Sequence, residues 1–338
     1  MTRFTYADAI RQALAEEMER DEDVFVIGED VGPAGGVFGV TKGLWDRFGP
    51  GRVWDTPISE EAVVGAAVGA ALVGGRPVVE VMFGDFVTLA MDMIVNQAAK
   101  THYMTGGALS VPLVVRMVTG TAGATAAQHS QSLESWFVHV PGLKVVAPST
   151  PVDAKGLLKS SIRDPDPVIF FEHKLLYGGR GGESGDSVEV EPIPLGIGRV
   201  HREGDDVTIV SYLKTLEHCL TAAEVLAEEG IHCEVFDPRT LVPFDREGLR
   251  RSVAKTGRLI IAHEAPTRGG VGAEIAATAA EDCFDLLRAP VVRVGGRNTP
   301  VPYAPELEGY VLPGPERIAA AVRVLVGSRS TTVSAGRG

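Results

Sequence analysis

The sequence predicts an α/β protein of two domains, with a parallel sheet carrying helices on both faces. Three observations predict it. Short apolar segments alternate with amphipathic ones along the chain, which is the pattern of strand–helix–strand units. A glycine-rich polar stretch breaks that alternation past the midpoint, after which it restarts. The length of 338 residues suits two domains of about 100–200 residues each.

The elements follow in order. Thr5 caps a first helix, with Asp8 three residues on, and Ala9, Ile10, Ala13, Leu14 and Met18 form its apolar stripe. Val24–Ile27 is a short strand ended by Gly28-Glu29-Asp30, and Gly32–Gly39 is a glycine-rich loop. Arg52–Asp55 is strand-like and leads into Thr56-Pro57-Ile58-Ser59-Glu60. A helix of small residues runs from about Glu61 to Val73, with Gly65 and Gly69 four apart on one face. That bare face suits packing within the subunit or a contact between subunits. Strand Val78–Met82, a helix from about Leu89 to Met104 and strand Leu113–Met117 continue the pattern. Val145-Val146 and Val168–Glu172 flank a helix from about Asp153 to Ile162.

Tyr177–Asp186 has the composition of an exposed linker. The second series holds strands at Val207–Tyr212, His232–Asp237, Arg258–His263 and Val291–Val294, and helices at Thr215–Glu229, Arg246–Thr256 and Gly270–Phe284. The expected division is domain 1–180, linker 181–204, domain 205–327 and a disordered tail over 328–338.

Composition narrows the function. There are 44 acidic against 32 basic residues, a net charge of −12, and no basic stripe offsets it. Binding to nucleic acid or to an anionic membrane is disfavoured. The longest apolar run, Ala62–Gly75, is too short and too rich in small residues to span a bilayer. The first residues hold no apolar signal core. Cys219, Cys233 and Cys283 are widely spaced and make neither a metal pattern nor a disulfide framework. Buried thiols in a reducing cytoplasm are expected.

Motifs narrow it further. Thr267-Arg268-Gly269-Gly270-Val271-Gly272 follows a strand and opens a helix, but it is not G-x-G-x-x-G and is better read as a tight turn. No G-x-x-x-x-G-K-[ST], G-x-S-x-G or H-E-x-x-H occurs. Glu60 opens an apolar helix, where the helix N-terminus favours a carboxylate; a helix-start acid is the plain alternative. His129 lies in Gln128-His129-Ser130-Gln131 after a loop rich in Gly, Ala and Thr. A loop histidine is well placed for proton transfer, with a structural role as the alternative.

Taken as an ordered set, the motifs become specific. Gly28-Glu29-Asp30-Val31-Gly32, Asp55 through Glu60, Gln128-His129-Ser130-Gln131 and Pro141-Gly142-Leu143-Lys144-Val145-Val146 occur in this order. Asp153-Ala154-Lys155-Gly156-Leu157-Leu158 and Phe171-Glu172-His173-Lys174-Leu175-Leu176-Tyr177 follow. Over residues 3–325 the chain resembles the β subunit of the thiamine-diphosphate-dependent first component of 2-oxoacid dehydrogenase complexes. The resemblance implies a pyrimidine-binding domain followed by a transketolase C-terminal-like domain. It implies a cofactor site shared with an α subunit in an α2β2 assembly. That subunit supplies the Gly-Asp-Gly…Asn ligands of magnesium, and this chain has no Gly-Asp-Gly, only Phe83-Gly84-Asp85-Phe86.

By the same resemblance, Glu60 hydrogen-bonds N1′ of the aminopyrimidine and favours the 4′-imino tautomer that deprotonates the thiazolium. Glu29 matches an acid that relays protons between active sites. Ile58, Met82 and Phe86 match apolar positions around the pyrimidine, and His129 matches a histidine that passes the acyl group to a lipoyl-lysine. Backbone carbonyls near Leu113, Ser161, Ile162, Asp164 and Asp166 match a potassium loop. The implied reaction forms hydroxyethyl-thiamine diphosphate from pyruvate or acetoin and reductively acetylates the lipoyl group of a dihydrolipoyl acyltransferase core. Residues 35–44 with Ser132-Leu133-Glu134 favour the pyruvate and acetoin branches, whereas His263-Glu264-Ala265-Pro266 is similar to the branched-chain 2-oxoacid branch. Trp136-Phe137 departs from the Trp-Tyr pair common in pyruvate enzymes. The rivals are a lipoamide-independent transketolase-like carboligase and a non-catalytic assembly subunit.

Overall fold

A computed structural model describes residues 3–178, 180–184 and 188–327. They divide into two units. The first takes the chain up to Ile197, together with Arg239–Phe244 and Thr299–Val311. The second takes Gly198–Pro238, Asp245–Asn298 and the chain from Leu312 onward.

The first unit runs β1 (Arg3–Thr5), α1 (Tyr6–Arg20), β2 (Val24–Gly28), α2 (Leu44–Phe48), β3 (Val53–Asp55), α3 (Glu60–Leu72), β4 (Arg76–Val81), α4 (Ala99–Met104), β5 (Val114–Thr119), α5 (Glu134–Val138), β6 (Lys144–Val146), α6 (Pro151–Arg163), β7 (Val168–His173) and β8 (Arg180–Ser184). The second contains β9 (Arg199–Arg202), β10 (Val207–Ser211), α7 (Lys214–Glu228) and β11 (Cys233–Asp237). The chain then returns to the first unit as β12 (Thr240–Val242). In the second unit follow α8 (Arg246–Thr256), β13 (Leu259–Pro266), α9 (Val271–Asp282) and β14 (Val292–Gly296). α10 (Pro305–Val311) belongs to the first unit and α11 (Pro315–Gly327) to the second.

Local chemistry accounts for these elements. The Thr5 side chain accepts from the Asp8 backbone N–H and the Asp8 carboxylate accepts from the Thr5 N–H, both at 3.1 Å, so α1 starts on a closed capping box. Its stripe of Ala9, Ile10, Ala13, Leu14 and Met18 is buried in one core with Leu157, Leu158 and Ile162 of α6. The seven-stranded sheet has the order β12-β6-β7-β5-β4-β2-β3. It is parallel except for β12, which pairs antiparallel with β6. All six residues of β5 and of β7 are buried, as expected of central parallel strands covered on both faces. The second unit's sheet, β14-β13-β10-β11-β9, is parallel except for β9. Its core includes Val207, Ile209, Leu226, Val235, Ile260 and Ile318. The three cysteines are buried free thiols. No helix among the described residues is long and apolar enough to cross a membrane.

Several expectations are corrected. The helix expected over 89–104 is a 3-10 turn at Gly84–Ala90, a π-helical stretch at Met93–Ala98 and then the short α4. Thr88 donates to the Asp85 carbonyl at 3.1 Å and holds the first turn tight. In the wider stretch Met93 lies against Gly65 of α3, its sulfur 3.2 Å from where a Cβ would stand. Gly65 therefore packs within the unit, whereas Gly69 is exposed with nothing within 4 Å of that point. Arg180–Ser184 and Arg199–Arg202, both in stretches expected as linker, are the strands β8 and β9, because they pair antiparallel with β1 and β11. Helices α2, α5, α10 and α11 stand where the sequence pattern predicts no element; α2 and α5 are single five-residue turns. The tail over 328–338 lies outside the described residues.

Candidate active site

The pairing of four strands builds the site. Gly28 of β2 lies opposite Asp55 of β3 and Glu80 of β4, and Glu80 lies opposite Arg116 of β5. Only glycine fits at position 28, since a Cβ there would come within 2.7 Å of the Glu80 carbonyl oxygen. Glu29 leaves the C-terminal end of β2, and Glu60 is the first residue of α3. Residues at the C-terminal ends of parallel strands are where such sheets bind ligands.

Glu29, Glu60 and Glu80 line one small cavity of about 10 Å3 together with Val63, Val64, Val81 and Met82. One carboxylate oxygen of Glu29 is buried without a hydrogen-bond partner among the described residues. Burial, then the neighbouring charges of Glu60 and Asp30, push the Glu29 pKa above the usual glutamate value, and the Ser59 backbone only partly opposes this. Asp30 itself holds a left-handed backbone, φ 56°, which a non-glycine residue adopts rarely. Glu60 also lines an open groove of about 640 Å3 with Ser59, Glu61, Ala62, Gly65, Ala66, Leu89 and Met93.

Glu80 belongs to a buried ion network that the sequence reading missed. Arg116, 1% exposed, donates to Glu80 at 2.8 Å and to both oxygens of Glu172 at 2.6 and 2.9 Å. The Tyr177 hydroxyl donates to Glu172 at 2.6 Å. Burial raises the Glu80 pKa, while Arg116 pulls it back toward the carboxylate.

His129 sits beside this region on the loop between β5 and α5. Its ring meets the edges or faces of Phe83 and Phe86 at centroid distances of 5.0 and 5.5 Å. Lys174 donates to the His129 and Gly120 carbonyls at 2.7 and 2.5 Å, and its ammonium stands 5.2 Å from the Phe83 ring centre. Asp85 accepts from the backbone and side-chain nitrogens of Gln131 at 3.1 and 2.9 Å. Ala124 and Ala126 in this loop have φ of 56° and 61°.

The structure thus brings Glu29, Glu60 and Met82 to one cavity, and His129 and Phe86 to one aromatic cluster. Ile58 is not gathered in; it is 82% exposed on the turn before α3. Of the carbonyls expected to hold potassium, those of Leu113, Ser161, Ile162 and Asp164 each accept from a protein donor. Val168 N–H donates to the Leu113 carbonyl at 2.8 Å, and Asp164 N–H to that of Ser161 at 3.3 Å. The Arg76 guanidinium donates to the Ile162 and Asp164 carbonyls at 2.7 and 3.2 Å. Lys144 pairs with the Asp164 and Asp166 carboxylates at 2.6 and 3.1 Å.

The residues present fit one half of thiamine diphosphate. The groove offers a carboxyl among apolar Ala62, Ala66, Leu89 and Met93, and Glu29 carries an orphaned buried oxygen beside it. That set suits a flat aminopyrimidine with a protonatable ring nitrogen. No group of three or more His, Cys, Asp or Glu among the described residues could hold a metal ion.

Comparison with known proteins agrees with this geometry. Residues 2–180 match the transketolase pyrimidine-binding domain and residues 196–318 the transketolase C-terminal domain. The chain is 48% identical over 322 residues to the pyruvate dehydrogenase E1 component subunit beta of Rickettsia bellii (strain RML369-C), covering 95% of this chain and 98% of that protein. It is 46% identical over 320 residues to the mitochondrial pyruvate dehydrogenase E1 component subunit beta-2 of Oryza sativa subsp. japonica, covering 94% and 85%. It is 45% identical over 326 residues to the 2-oxoisovalerate dehydrogenase subunit beta of Bacillus subtilis (strain 168), covering 96% and 99%. Among solved structures, a split-gene transketolase described as an inactive β4 tetramer shares the fold, with a TM-score of 0.78 at 23% identity, over 96% of this chain and 99% of that one. By identity over nearly its whole length, the chain belongs to the family of the β subunits of 2-oxoacid dehydrogenase first components.

Proposed function

We propose that this chain is the β half of a thiamine-diphosphate-dependent pyruvate or acetoin dehydrogenase, working with an α subunit in an α2β2 assembly. The observation that carries the reading is the Glu29–Glu60 pair. Two carboxyls share one cavity at the strand ends, and one of them also opens onto an apolar groove. Bound thiamine diphosphate supplies a nucleophilic carbon and an electron sink. Glu60 presents its carboxyl to the aminopyrimidine ring nitrogen and holds or releases a proton there. Glu29, desolvated beside that charge, holds its own proton more firmly than an ordinary glutamate and serves as the next station for it. Met82, Phe83 and Phe86 exclude water from the ring's side of the site. His129, held by Lys174 and the two phenylalanines, faces the acceptor step: as imidazolium it protonates a lipoyl sulfur as the disulfide opens. Magnesium, in this reading, is held by the α subunit, and the acyl acceptor is the lipoyl arm of a dihydrolipoyl acyltransferase core.

The test is the heteromeric enzyme purified through this chain. Thiamine-diphosphate-dependent dye reduction is measured with pyruvate, acetoin and 2-oxoisovalerate side by side. Preference for pyruvate or acetoin is expected. Preference for 2-oxoisovalerate gives the branched-chain reading, as the relative in Bacillus subtilis is named for that acid. Glu60→Gln is expected to keep the fold and lower turnover about 100-fold or more. Turnover near wild type in that variant removes Glu60 from the mechanism.

A further inference from the structure

We propose that Glu308 is a positioning residue for the loop that carries His129, and that it acts on the acyl-transfer half of the reaction. This rests on the reading of His129 given above.

The loop leaves β5 at Thr119 and reaches α5 at Glu134. Its middle is strained: Ala124 and Ala126 are both left-handed, a conformation in which the Cβ crowds the backbone. Such backbone persists where the surroundings over-determine it, and it clusters at functional sites. Ties inside the loop and near it are plain. Thr125 and Ser130 share a hydrogen bond of 2.7 Å, and Lys174 and Asp85 fasten the His129 carbonyl and Gln131.

The tie at the strained centre comes from far away. The backbone N–H of Ala124 donates to a Glu308 carboxylate oxygen at 2.9 Å, across 184 residues of chain. Glu308 lies on α10, in the segment Thr299–Val311 that returns to the first unit between two stretches of the second. It is 8% exposed, while Leu307 and Tyr310 on the same helix are 56% and 61% exposed. A carboxylate turned inward from a helix with exposed apolar neighbours has been placed for its partner. A bond accepted by a charged oxygen is among the stronger kind, and here it holds the left-handed alanine five residues before His129.

Positioning by this bond predicts a split between two half-reactions. Dye reduction needs the carboxyls at the cavity. Acylation of a lipoyl domain also needs His129 at a set place, where a displacement of about 1 Å can lower a rate about 100-fold. Glu308→Ala is therefore expected to lower the ratio of lipoyl-domain acetylation to dye reduction by about tenfold or more. Glu308→Gln keeps an amide oxygen that can accept from Ala124, and is expected to stay within about threefold of wild type. A role confined to packing α10 would lower both activities together and leave the ratio where it was.

The experiment uses the full chain in its heteromeric enzyme, with pyruvate, acetoin and 2-oxoisovalerate as substrates and an isolated lipoyl domain or a dye as acceptor. Amide exchange over residues 120–131 is followed in parallel and needs no turnover. Faster exchange in Glu308→Ala, together with the fallen ratio and rescue by Gln, supports the proposal. Unchanged exchange in that loop overturns the positioning. Faster exchange with an unchanged ratio overturns its link to acyl transfer. A wild-type enzyme without thiamine-diphosphate-dependent activity on pyruvate, acetoin or 2-oxoisovalerate overturns the dehydrogenase reading itself, and this inference with it.

Discussion

His263 makes the second unit acid-sensitive by an amount that can be worked out. It lies in β13, fully buried, with its imidazole against the start of α9. A Cβ on Gly272 would come 2.5 Å from Nε2, and one on Gly270 would come 2.7 Å from Cε1. Tyr212 stacks on the ring at 6.3 Å between centres. Neither ring nitrogen has a hydrogen-bond partner of normal geometry among the described residues. Burial therefore drives the pKa down from 6.5 to about 4; Arg293 adds to this, and the nearby Ala265 backbone opposes it slightly. The folded pKa is depressed, so the unfolded chain binds the proton first as pH falls. Stability is fully present above the unfolded value and is lost between about 6.5 and 4. Linkage over that interval gives a loss of about 2 kcal/mol between pH 7 and pH 4.5. The three tryptophans, Trp45, Trp54 and Trp136, all belong to the first unit, so their fluorescence is the wrong probe. Amide protection of β13 and α9, measured at the two pH values in wild type and in His263→Phe, isolates the contribution, because the carboxylates titrate alike in both. The wild type is expected to lose about 2 kcal/mol more than the variant. Parallel losses in the two proteins refute the argument.

Three further outcomes are expected. Arg116→Met strands Glu80 and Glu172 in a buried site, and urea unfolding followed by tryptophan fluorescence is expected to show a loss of about 3–5 kcal/mol. Gly142→Ala and Gly106→Ala both force alanine into positive φ, at 100° and 62°, but only at 142 would the Cβ strike backbone, 1.9 Å from the Ala99 oxygen. The same unfolding assay is expected to show a loss of about 1–2 kcal/mol at 106 and a loss of a different order at 142. Glu29, whose pKa is raised by burial and by Glu60, weighs against folding once pH passes the ordinary glutamate value. Glu29→Gln is expected to unfold at higher urea than wild type at pH 7, with the advantage gone at about pH 4.

Much of this protein was open to a reading of its residues, and the parts that were not share a cause. Capping and periodicity are local, and the helix from Tyr6 to Arg20 and the apolar strands around Val26, Val79 and Val115 sit where local rules place them. The region from Gly84 to Met104 has a helical composition, yet its turns are set by the Asp85–Thr88 bond and by Met93 meeting Gly65, neither of which a periodicity reports. Glu308 carries no mark of its own, since its partner is 184 residues away. Strand β12 and helix α10 belong to the first unit although the chain between them builds the longest segment of the second, so the linear order of the sequence hides them. Glu80, Arg116 and Glu172 are different, because their signal was present. Each is the one charged residue in a short apolar stretch, in Val-Val-Glu-Val, Val-Val-Arg-Met and Phe-Phe-Glu. A charge in a strand buried on both faces is tolerated only when paired. Two acids and one base on three such strands can satisfy that rule by lying side by side, and β4, β5 and β7 do lie side by side. Taken seriously, those three charges would have ordered the central strands from the sequence and placed a carboxylate at the cavity that Glu29 and Glu60 share.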